Sequence, residues 1–193
     1  MKLGLTGTIA TGKSTVYKLL LNKSEVIGFD ADEVVHQLYE RTDVIDRLTV
    51  EFGSEILGKG GGVDRSSLRS LFLADAGVRP RLESIFHPLV YEEFLNKEAD
   101  LTSGQVLLAD IPLLFEKADP YCFDAVVVVA CSPDKQLSRL ISRSKLDRET
   151  ALKMISKQVK LDFKISKSDF VLWNNGSMSS LQGQIDALAQ HIF

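Results

Sequence analysis

Five short apolar segments along the chain predict β-strands. They span Lys2–Thr6, Glu25–Asp30, Gln105–Asp110, Asp124–Ala130 and Asp169–Trp173. The fourth is apolar without interruption from residue 125 to residue 130 and rich in valine, which is typical of a strand buried on both faces of a parallel sheet. Helical patterns follow the first, fourth and fifth strands, at Lys13–Leu21, Pro133–Arg143 and Ser179–Ile192. This alternation predicts an α/β sheet with right-handed crossovers.

The second and third strands are separated by a segment too long for a simple crossover. Helical patterns fill it at Ala31–Glu40, Asp43–Phe52, Ser66–Leu73, Arg79–Phe86 and Pro88–Ala99. A loop of this length needs structure of its own, so we predict a helical insertion at about 31–103. A second, charged helical insertion is predicted at about 144–167, with Asp147 as a potential helix cap. The core of this single domain then comprises about 1–30, 104–143 and 168–193.

A glycine-rich motif joins the first strand to the first helix. It consists of Gly7, Thr8, Ile9, Ala10, Thr11, Gly12, Lys13 and Ser14, and it matches G-x-x-x-x-G-K-[ST] at every fixed position. Successive N–H groups of such a loop point to one concave site, and the helix N-terminus adds positive partial charge. The lysine reaches the β- and γ-phosphates, and the serine oxygen can ligate Mg²⁺. The motif therefore predicts a site for ATP with Mg²⁺.

Carboxylates end two of the predicted strands. Asp30 and Asp32 follow the second strand, and Asp110 ends the third. Ligands of open parallel sheets bind beyond the carboxyl ends of the strands, so we expect these residues near the phosphate loop. One carboxylate can hold Mg²⁺ and another can deprotonate an attacking hydroxyl. Helix capping is the alternative for Asp30 or Asp32, and the sequence does not decide whether Asp30 or Asp110 lies nearer the metal.

Two further segments admit two interpretations each. The apolar stretch Ile111–Glu116 lines a substrate pocket or extends the core. Arg139 and Arg143 lie four residues apart on one helix face, and Lys145 and Arg148 follow them. Such a cluster is typical of a mobile arginine-bearing lid that neutralises charge during phosphoryl transfer. A solvated face paired with neighbouring acidic residues is the alternative.

Charge and composition narrow the range of partners. A net charge of −3 gives no general attraction to nucleic acid or to an anionic membrane. The N-terminal apolar stretch is too short for a signal peptide, no apolar run approaches the length of a membrane span, and the two cysteines fit no common metal or redox spacing. We expect a cytoplasmic, monomeric enzyme with a small-molecule substrate and with no nucleic-acid or membrane partner.

A series of motifs resembles the dephospho-coenzyme A kinase family. In family order these are the phosphate loop after Leu5-Thr6, Asp30-Ala31-Asp32, Val63-Asp64-Arg65, His87-Pro88, Asp110–Glu116, Gln136 with Arg139 and Arg143, Gln158, and Asn174-x-Gly176. The resemblance extends over about Leu3–Ser177. The string Asp-Ile-Pro-Leu-Leu-Phe-Glu at 110–116 is much more diagnostic than the phosphate loop, which many families share.

This resemblance implies a fold, a reaction and a set of site residues. The fold is a P-loop NTPase three-layer sandwich with a five-stranded parallel sheet, in which the first insertion binds the acceptor and the second forms a lid. The reaction is the ATP-dependent phosphorylation of the ribose 3′-hydroxyl of dephospho-coenzyme A, the final step of coenzyme A biosynthesis. The general base falls on Asp32, and Lys13 and Arg139 complete the catalytic group. The resemblance also assigns ATP contacts to Thr15, Asn174 and Gly176, metal contacts to Ser14 and Asp30, and substrate contacts to Thr6, Arg65, His87, Asp110, Leu113 and Leu114.

The chain departs from the family pattern at four positions, one of which is Ser168, where alanine is usual. Thr8 and Ala10 stand where glycine is usual, and because alanine has less backbone freedom we predict a slightly different loop shape. Trp173 stands where a polar residue is common, so it either packs near the adenine or fills the sheet edge. The competing functions are a nucleoside or nucleotide monophosphate kinase and a slowly hydrolysing nucleotide switch.

Overall fold

The computed structural model describes residues 1–116 and 121–192. Its strands are β1 (Lys2–Gly7), β2 (Val26–Asp30), β3 (Val106–Asp110), β4 (Ala125–Ala130) and β5 (Phe170–Trp173). They form one parallel sheet in the order β2-β3-β1-β4-β5. The register places Leu5 opposite Asp110 and Thr6 opposite Val128. The predicted five-stranded parallel α/β sheet is therefore confirmed, with each strand end within one residue of its prediction.

Helices occupy the connections from β1 to β2, from β2 to β3 and from β4 to β5, and a further helix follows β5. They are α1 (Lys13–Leu20), α2 (Ala31–Leu38), α3 (Thr42–Phe52), α4 (Arg65–Ala74), α5 (Val78–Ala99), α6 (Pro133–Ser144), α7 (Arg148–Ser156), α8 (Leu161–Ser166) and α9 (Met178–Ile192), with a short 3₁₀ turn at Ser54–Ile56. Within the ranges that the structure describes, no helix is both long enough and apolar enough to cross a membrane.

The chain divides into two compact units. Residues 1–29 and 100–193 form one unit, which we call the sheet unit, and residues 30–99 form the other, which we call the helical unit. The helical unit covers nearly the same residues as the predicted insertion at 31–103. Its assignment as the acceptor-binding part stays a prediction, as does the assignment of the lid to residues 144–167.

The core of the sheet unit lies on both faces of the sheet. On one face, Leu5 and Val127 pack with Val16 of α1 and Ile185 of α9. The alternate positions on the strands, which point to the opposite face, are also buried: Thr6, Leu107, Ala109, Val128 and Ala130. Because neighbouring residues of a strand point to opposite faces, burial of both sets requires cover on both sides. This arrangement explains why the strands are continuously apolar rather than alternating.

The helical unit corrects one prediction. Two helices were expected at 79–86 and 88–99, with a break before Pro88, but the structure has the single helix α5. Proline removes one hydrogen bond from a helix interior, yet the buried face of α5 continues across it through Phe86, Leu89 and Phe94. Phe86 also packs against Tyr39 beyond α2, with ring centroids 4.6 Å apart. Tertiary packing on both sides of the proline outweighs the lost hydrogen bond.

The N-terminal caps of α6 and α7 differ. Asp147 caps α7 as predicted, because its carboxylate accepts the Thr150 N–H at 2.8 Å. Ser132 occupies the N-cap position of α6 and Pro133 the first helical position, but the serine hydroxyl makes no capping hydrogen bond. Proline preorganises that first turn without a side-chain cap.

A buried ion pair ties α8 to the segment after β3. Lys164 is completely buried, and its Nζ lies 2.8 Å and 2.9 Å from the two carboxylate oxygens of Glu116. Phe115 and Phe163 pack edge to face beside this pair, with centroids 6.4 Å apart. The Lys164 ammonium depends on Glu116, because a fully buried charge has no water to replace its partner.

We expect Glu116→Gln to lower the free energy of unfolding by about 3 kcal/mol, because it leaves the Lys164 ammonium buried without a counter-charge. Urea unfolding followed by circular dichroism measures the change. The matched control is Lys153→Met, which breaks an exposed pair with Glu149 on α7 and should cost less than about 0.5 kcal/mol. Equal losses in both variants would contradict a structural role for the buried pair.

Candidate active site

The loop between β1 and α1 curves around the first turn of the helix. Gly12 is the N-cap residue and has a φ of 96°, a conformation that favours glycine. A side chain at this position would also collide with the carboxamide of Asn174. Both the backbone angle and the close approach of Asn174 therefore require glycine at the fixed position of the motif.

The start of α1 presents N–H groups that have no acceptor in the part of the protein that the structure describes. Within the described residues, the N–H groups of Gly12, Lys13 and Ser14 make no hydrogen bond to the protein, whereas the Thr15 N–H already donates to the Gly12 carbonyl at 3.0 Å. Unpaired donors and the positive end of the helix dipole favour an anion. The geometry of this turn fits a phosphate chain, as the motif predicts.

Ala10 introduces strain into this loop. Its φ is 62°, in the left-handed region, although it carries a side chain. That conformation costs a non-glycine residue roughly 1–2 kcal/mol. The loop keeps the left-handed turn that glycine would allow, so the surrounding contacts must hold it there.

Lys13 and Asp110 form an ion pair at the mouth of the loop. The Lys13 ammonium donates to the Asp110 carboxylate, and both side chains are largely buried. Asp110 reaches this position because it ends β3, directly beside Leu5 of β1. The structure thus brings together the predicted phosphate-binding lysine and one predicted carboxylate.

Two residues close the opposite side of the loop. Arg139 of α6 donates to the Thr11 carbonyl at 3.3 Å and to the Asn174 side-chain oxygen at 3.3 Å. Asn174 follows β5 and donates from Nδ2 to the same Thr11 carbonyl at 2.9 Å. Arg139 and Asn174 therefore lie at the phosphate loop and hold each other in place, and their contacts with ATP stay predictions.

Arg139 also affects a neighbouring thiol. Burial raises the pKa of the Cys131 thiol, and the positive charges of Arg139 and Lys135 act in the opposite direction. The pKa of this thiol therefore lies above its usual range, so the residue stays protonated and is not suited to act as a thiolate nucleophile.

Thr6 is a buried polar residue next to this site. Its hydroxyl oxygen has no hydrogen-bond partner among the described residues. An unpaired buried hydroxyl is costly unless a ligand or water satisfies it. The contact of Thr6 with a ligand stays a prediction.

The remaining predicted residues of the sheet unit have varied surroundings. Leu114 is buried and extends the core after β3, whereas Leu113 is only half-buried. Gly176 is exposed in the turn between β5 and α9. Thr15 lies in the first turn of α1. The apolar stretch after β3 thus contributes to the core at Leu114 and leaves Leu113 accessible to a ligand.

Four predicted residues lie in the helical unit. Asp30 caps α2, because its carboxylate accepts the N–H groups of Asp32 and Glu33 at 3.0 Å and 3.1 Å. The capping alternative for Asp30 is therefore correct, and its metal contact stays a prediction. The Asp32 side chain is exposed in the first turn of the same helix. His87 is exposed on α5.

Arg65 is held by a neighbouring aromatic ring within the helical unit. It starts α4, and its guanidinium carbon lies 5.1 Å from the centre of the Tyr39 ring. It also donates to the His36 carbonyl at 3.4 Å. A guanidinium stacked in this way keeps free edges for an anionic ligand.

Two glutamines contact the phosphate loop and were absent from the predicted site. Gln136 donates to the Thr8 hydroxyl and the Ile9 carbonyl at 3.0 Å and 2.9 Å, and Gln158 accepts the Ile9 N–H at 2.7 Å. Gln136 precedes Arg139 by three residues, so the shared helix face offered a signal. Gln158 lies between α7 and α8, and no local pattern relates it to the loop.

The donor set also fits a magnesium ion that is shared with phosphates. In the part of the chain that the structure describes, no group of three or more histidine, cysteine or acidic side chains forms a metal cage. Mg²⁺ commonly uses one or two protein oxygens together with phosphate oxygens and water. The exposed Ser14 hydroxyl and a single carboxylate are sufficient for that mode.

The parallel sheet, the phosphate loop and the paired lysine define a P-loop kinase fold. A family model described as dephospho-CoA kinase matches residues 1–180. The chain belongs to the dephospho-CoA kinase family, whose members phosphorylate dephospho-CoA with ATP in the final step of coenzyme A biosynthesis.

Curated relatives match along nearly the whole chain. The dephospho-CoA kinase of Fusobacterium nucleatum subsp. nucleatum is 36% identical over 196 residues, which cover 100% of this chain and 98% of that protein. The dephospho-CoA kinase of Listeria innocua is 37% identical over 186 residues, which cover 95% and 92%. The resemblance predicted from the motifs is therefore confirmed at the level of the family.

Solved structures agree on the fold. A crystal structure of a Thermus thermophilus protein has a TM-score of 0.82 and 28% identity, with 100% of this chain and 98% of that chain covered. The dephospho-CoA kinase from Campylobacter jejuni has a TM-score of 0.67 at 23% identity and covers 99% and 96%. Shikimate kinase from Bacteroides thetaiotaomicron, at 15% identity, has a TM-score of 0.51 and covers 99% and 97%. The last two show the shared fold alone.

We expect ATP or ADP to change the fluorescence of Trp173, the chain's single tryptophan. The indole is 46% exposed and precedes Asn174, so a nucleotide at the loop should alter its solvent contact. A titration at fixed protein concentration measures the emission intensity and wavelength. N-acetyltryptophanamide at the same nucleotide concentrations is the control, and an identical response of protein and control would contradict the prediction.

Proposed function

We propose that this chain transfers the γ-phosphoryl group of ATP to the ribose 3′-hydroxyl of dephospho-CoA and so produces coenzyme A. The observation that carries the proposal is the phosphate loop, where three N–H groups have no partner among residues 1–116 and 121–192 and the Lys13–Asp110 pair lies at the same site. Membership of the dephospho-CoA kinase family supports the choice of acceptor.

The phosphate loop and Lys13 hold the triphosphate. The N–H groups of Gly12, Lys13 and Ser14 donate to its oxygens, and the Lys13 ammonium moves from Asp110 toward the β- and γ-phosphates. The backbone N–H donors are fixed before the reaction, so they stabilise developing charge without reorganisation. Arg139 adds a second cation as the lid at 144–167 closes over the site.

Asp32 acts as the general base in this proposal. Its carboxylate accepts the proton of the ribose 3′-hydroxyl, and the resulting oxygen forms a bond to the γ-phosphorus while the bond from that phosphorus to the β–γ bridging oxygen breaks. ADP leaves with the bridging oxygen, and the proton on Asp32 passes to solvent. Asp32 is exposed and has no structural partner for its carboxylate among the described residues, which suits a residue that meets a ligand.

Mg²⁺ would neutralise phosphate charge during transfer. Ser14 supplies one oxygen, and either Asp30 or Asp110 supplies the carboxylate. We favour Asp110, because it belongs to the same unit as the loop and Asp30 already caps α2.

In this proposal the helical unit binds the acceptor, dephospho-CoA. We assign Arg65 to an anionic group of dephospho-CoA and His87 to the same acceptor, and we assign Thr6 and Leu113 of the sheet unit to the acceptor's reacting end. Asn174 and Gly176 border the nucleotide base. Localisation in the cytoplasm and a monomeric state remain predictions.

An acceptor assay tests the proposal directly. ADP release is measured with ATP and Mg²⁺ in the presence of dephospho-CoA, AMP, CMP or shikimate, and without an acceptor. We expect turnover with dephospho-CoA at least about tenfold above any other acceptor. Preference for AMP or CMP would favour a nucleotide kinase, and equal turnover without an acceptor would favour a hydrolysing switch.

We expect Asp32→Asn to lower kcat by about 10²–10⁴-fold while ATP binding stays nearly unchanged, because the amide cannot accept the hydroxyl proton. Steady-state kinetics and calorimetric titration with ATP measure the two quantities. Glu33→Gln, the exposed neighbour on the same helical turn, is the control and should keep most of the activity. Parallel losses of kcat and ATP affinity would assign Asp32 to the metal or to the structure.

We expect Lys13→Met to lower kcat/KM by about 10²–10³-fold, because it removes a preorganised cation from the transferring phosphoryl group. The ADP-release assay measures this loss. Lys18→Met changes an exposed lysine of the same helix and serves as the control. Normal turnover of the Lys13 variant would contradict the assignment of ATP to this loop.

A further inference from the structure

The left-handed residue of the phosphate loop lies directly after a residue whose N–H and carbonyl are both held by side chains. Ala10 has a φ of 62°. The preceding residue, Ile9, donates its N–H to Gln158 at 2.7 Å and accepts at its carbonyl a hydrogen bond from Gln136 at 2.9 Å. Both polar groups of Ile9 are therefore fixed by side chains from distant parts of the chain.

Thr8 adds a third contact to this arrangement. Its hydroxyl accepts a hydrogen bond from the same Gln136 amide nitrogen at 3.0 Å, and its carbonyl accepts both the N–H and the hydroxyl of Thr11, at 3.3 Å and 2.8 Å. Gln136 and Thr8 are each only 6% exposed, and Thr11 is fully buried. A glycine at position 8 would offer Gln136 no hydroxyl.

We propose that Thr8, Gln136 and Gln158 are positioning residues that hold Ala10 in the left-handed conformation and so preorganise the phosphate loop. We call these three residues the loop clamp. A strained backbone angle persists only where its surroundings determine it, and the clamp is the set of contacts around Ile9 that does so. The inference rests on nucleotide binding at this loop, which is part of the proposed function.

The loop clamp also connects the phosphate loop to α6 and to the predicted lid at 144–167. Gln136 lies three residues before Arg139 on α6, so both side chains lie on one helix face and donate hydrogen bonds to the loop. Gln158 comes from the turn between α7 and α8, where the adjacent Val159 N–H donates to Glu116 at 3.3 Å. The buried Glu116–Lys164 pair fixes this turn from the other side. Gln158 therefore contacts the loop from a turn that Glu116 holds in place.

A double-mutant cycle with Ala10→Gly tests the clamp. Glycine adopts positive φ values without the alanine penalty, so it should need the clamp less. Gln136→Met and Gln158→Met remove the hydrogen bonds and keep the approximate length of the side chain. Each is made in the parent chain and in the Ala10→Gly chain, and the Kd values of ATP and ADP are measured by calorimetry.

We expect each glutamine variant to raise the Kd of ATP about tenfold in the parent chain and about threefold or less in the Ala10→Gly chain. Thr8→Val, which removes the hydroxyl and keeps the shape, should follow the same pattern with a smaller effect. The turnover number should change less than the Kd, because the clamp touches no reacting atom. The control is Gln190→Met, which replaces an exposed glutamine of α9. It should leave the Kd of ATP unchanged in both chains.

Equal effects in the two chains, or no effect in either, would overturn the proposal. Thermal unfolding identifies a variant that does not fold, and in that case Thr8→Val and the remaining glutamine variant decide. The readout is ATP and ADP binding without an acceptor, so it is separate from the acceptor assay. A parent chain that binds ATP but does not phosphorylate dephospho-CoA would contradict the proposed function and leave the cycle interpretable.

Discussion

The site depends on a few N–H groups at the start of α1 that have no protein partner within the described residues. An α-helix leaves its first amide donors unsatisfied, and here the loop keeps those of Gly12, Lys13 and Ser14 open on one concave side. Their dipoles and the lysine ammonium make the turn a place for a polyphosphate in a chain whose net charge is −3. These local donors therefore attract an anion even though the net charge of the chain is negative.

The strand order of the sheet determines which side chains surround these N–H donors. Because β3 lies beside β1 on one side and β4 on the other, Asp110 reaches Lys13 from the first side, and Arg139 and Asn174 reach Thr11 from the second. A parallel sheet places the carboxyl ends of all its strands at one edge, so residues far apart in sequence converge there. The same convergence brings Gln136 to the loop, whereas Gln158 reaches it from the turn between α7 and α8.

Much of the fold was predictable because its signals are local. The strands are short apolar runs, the helices have their own periodicity, and the phosphate motif has fixed spacing, so their positions follow from neighbouring residues. The prediction failed at α5, where packing of Phe86, Leu89 and Phe94 on both sides of Pro88 continues the helix through a residue that disfavours it. It left Asp30 undecided between a metal contact and a cap, and the structure shows the cap because two N–H groups of α2 point at its carboxylate.

The sequence by itself determined the α/β sheet, the phosphate loop and the family, because each rests on residue types at fixed distances along the chain. It also marked Ala10 as an unusual residue for such a loop. Only the tertiary structure decided that Ala10 keeps a left-handed turn, that Lys13 pairs with Asp110, and that Gln158 supports the loop from a distant segment. These contacts join residues about 100 or more positions apart, and the geometry that joins them exists only after the sheet has formed.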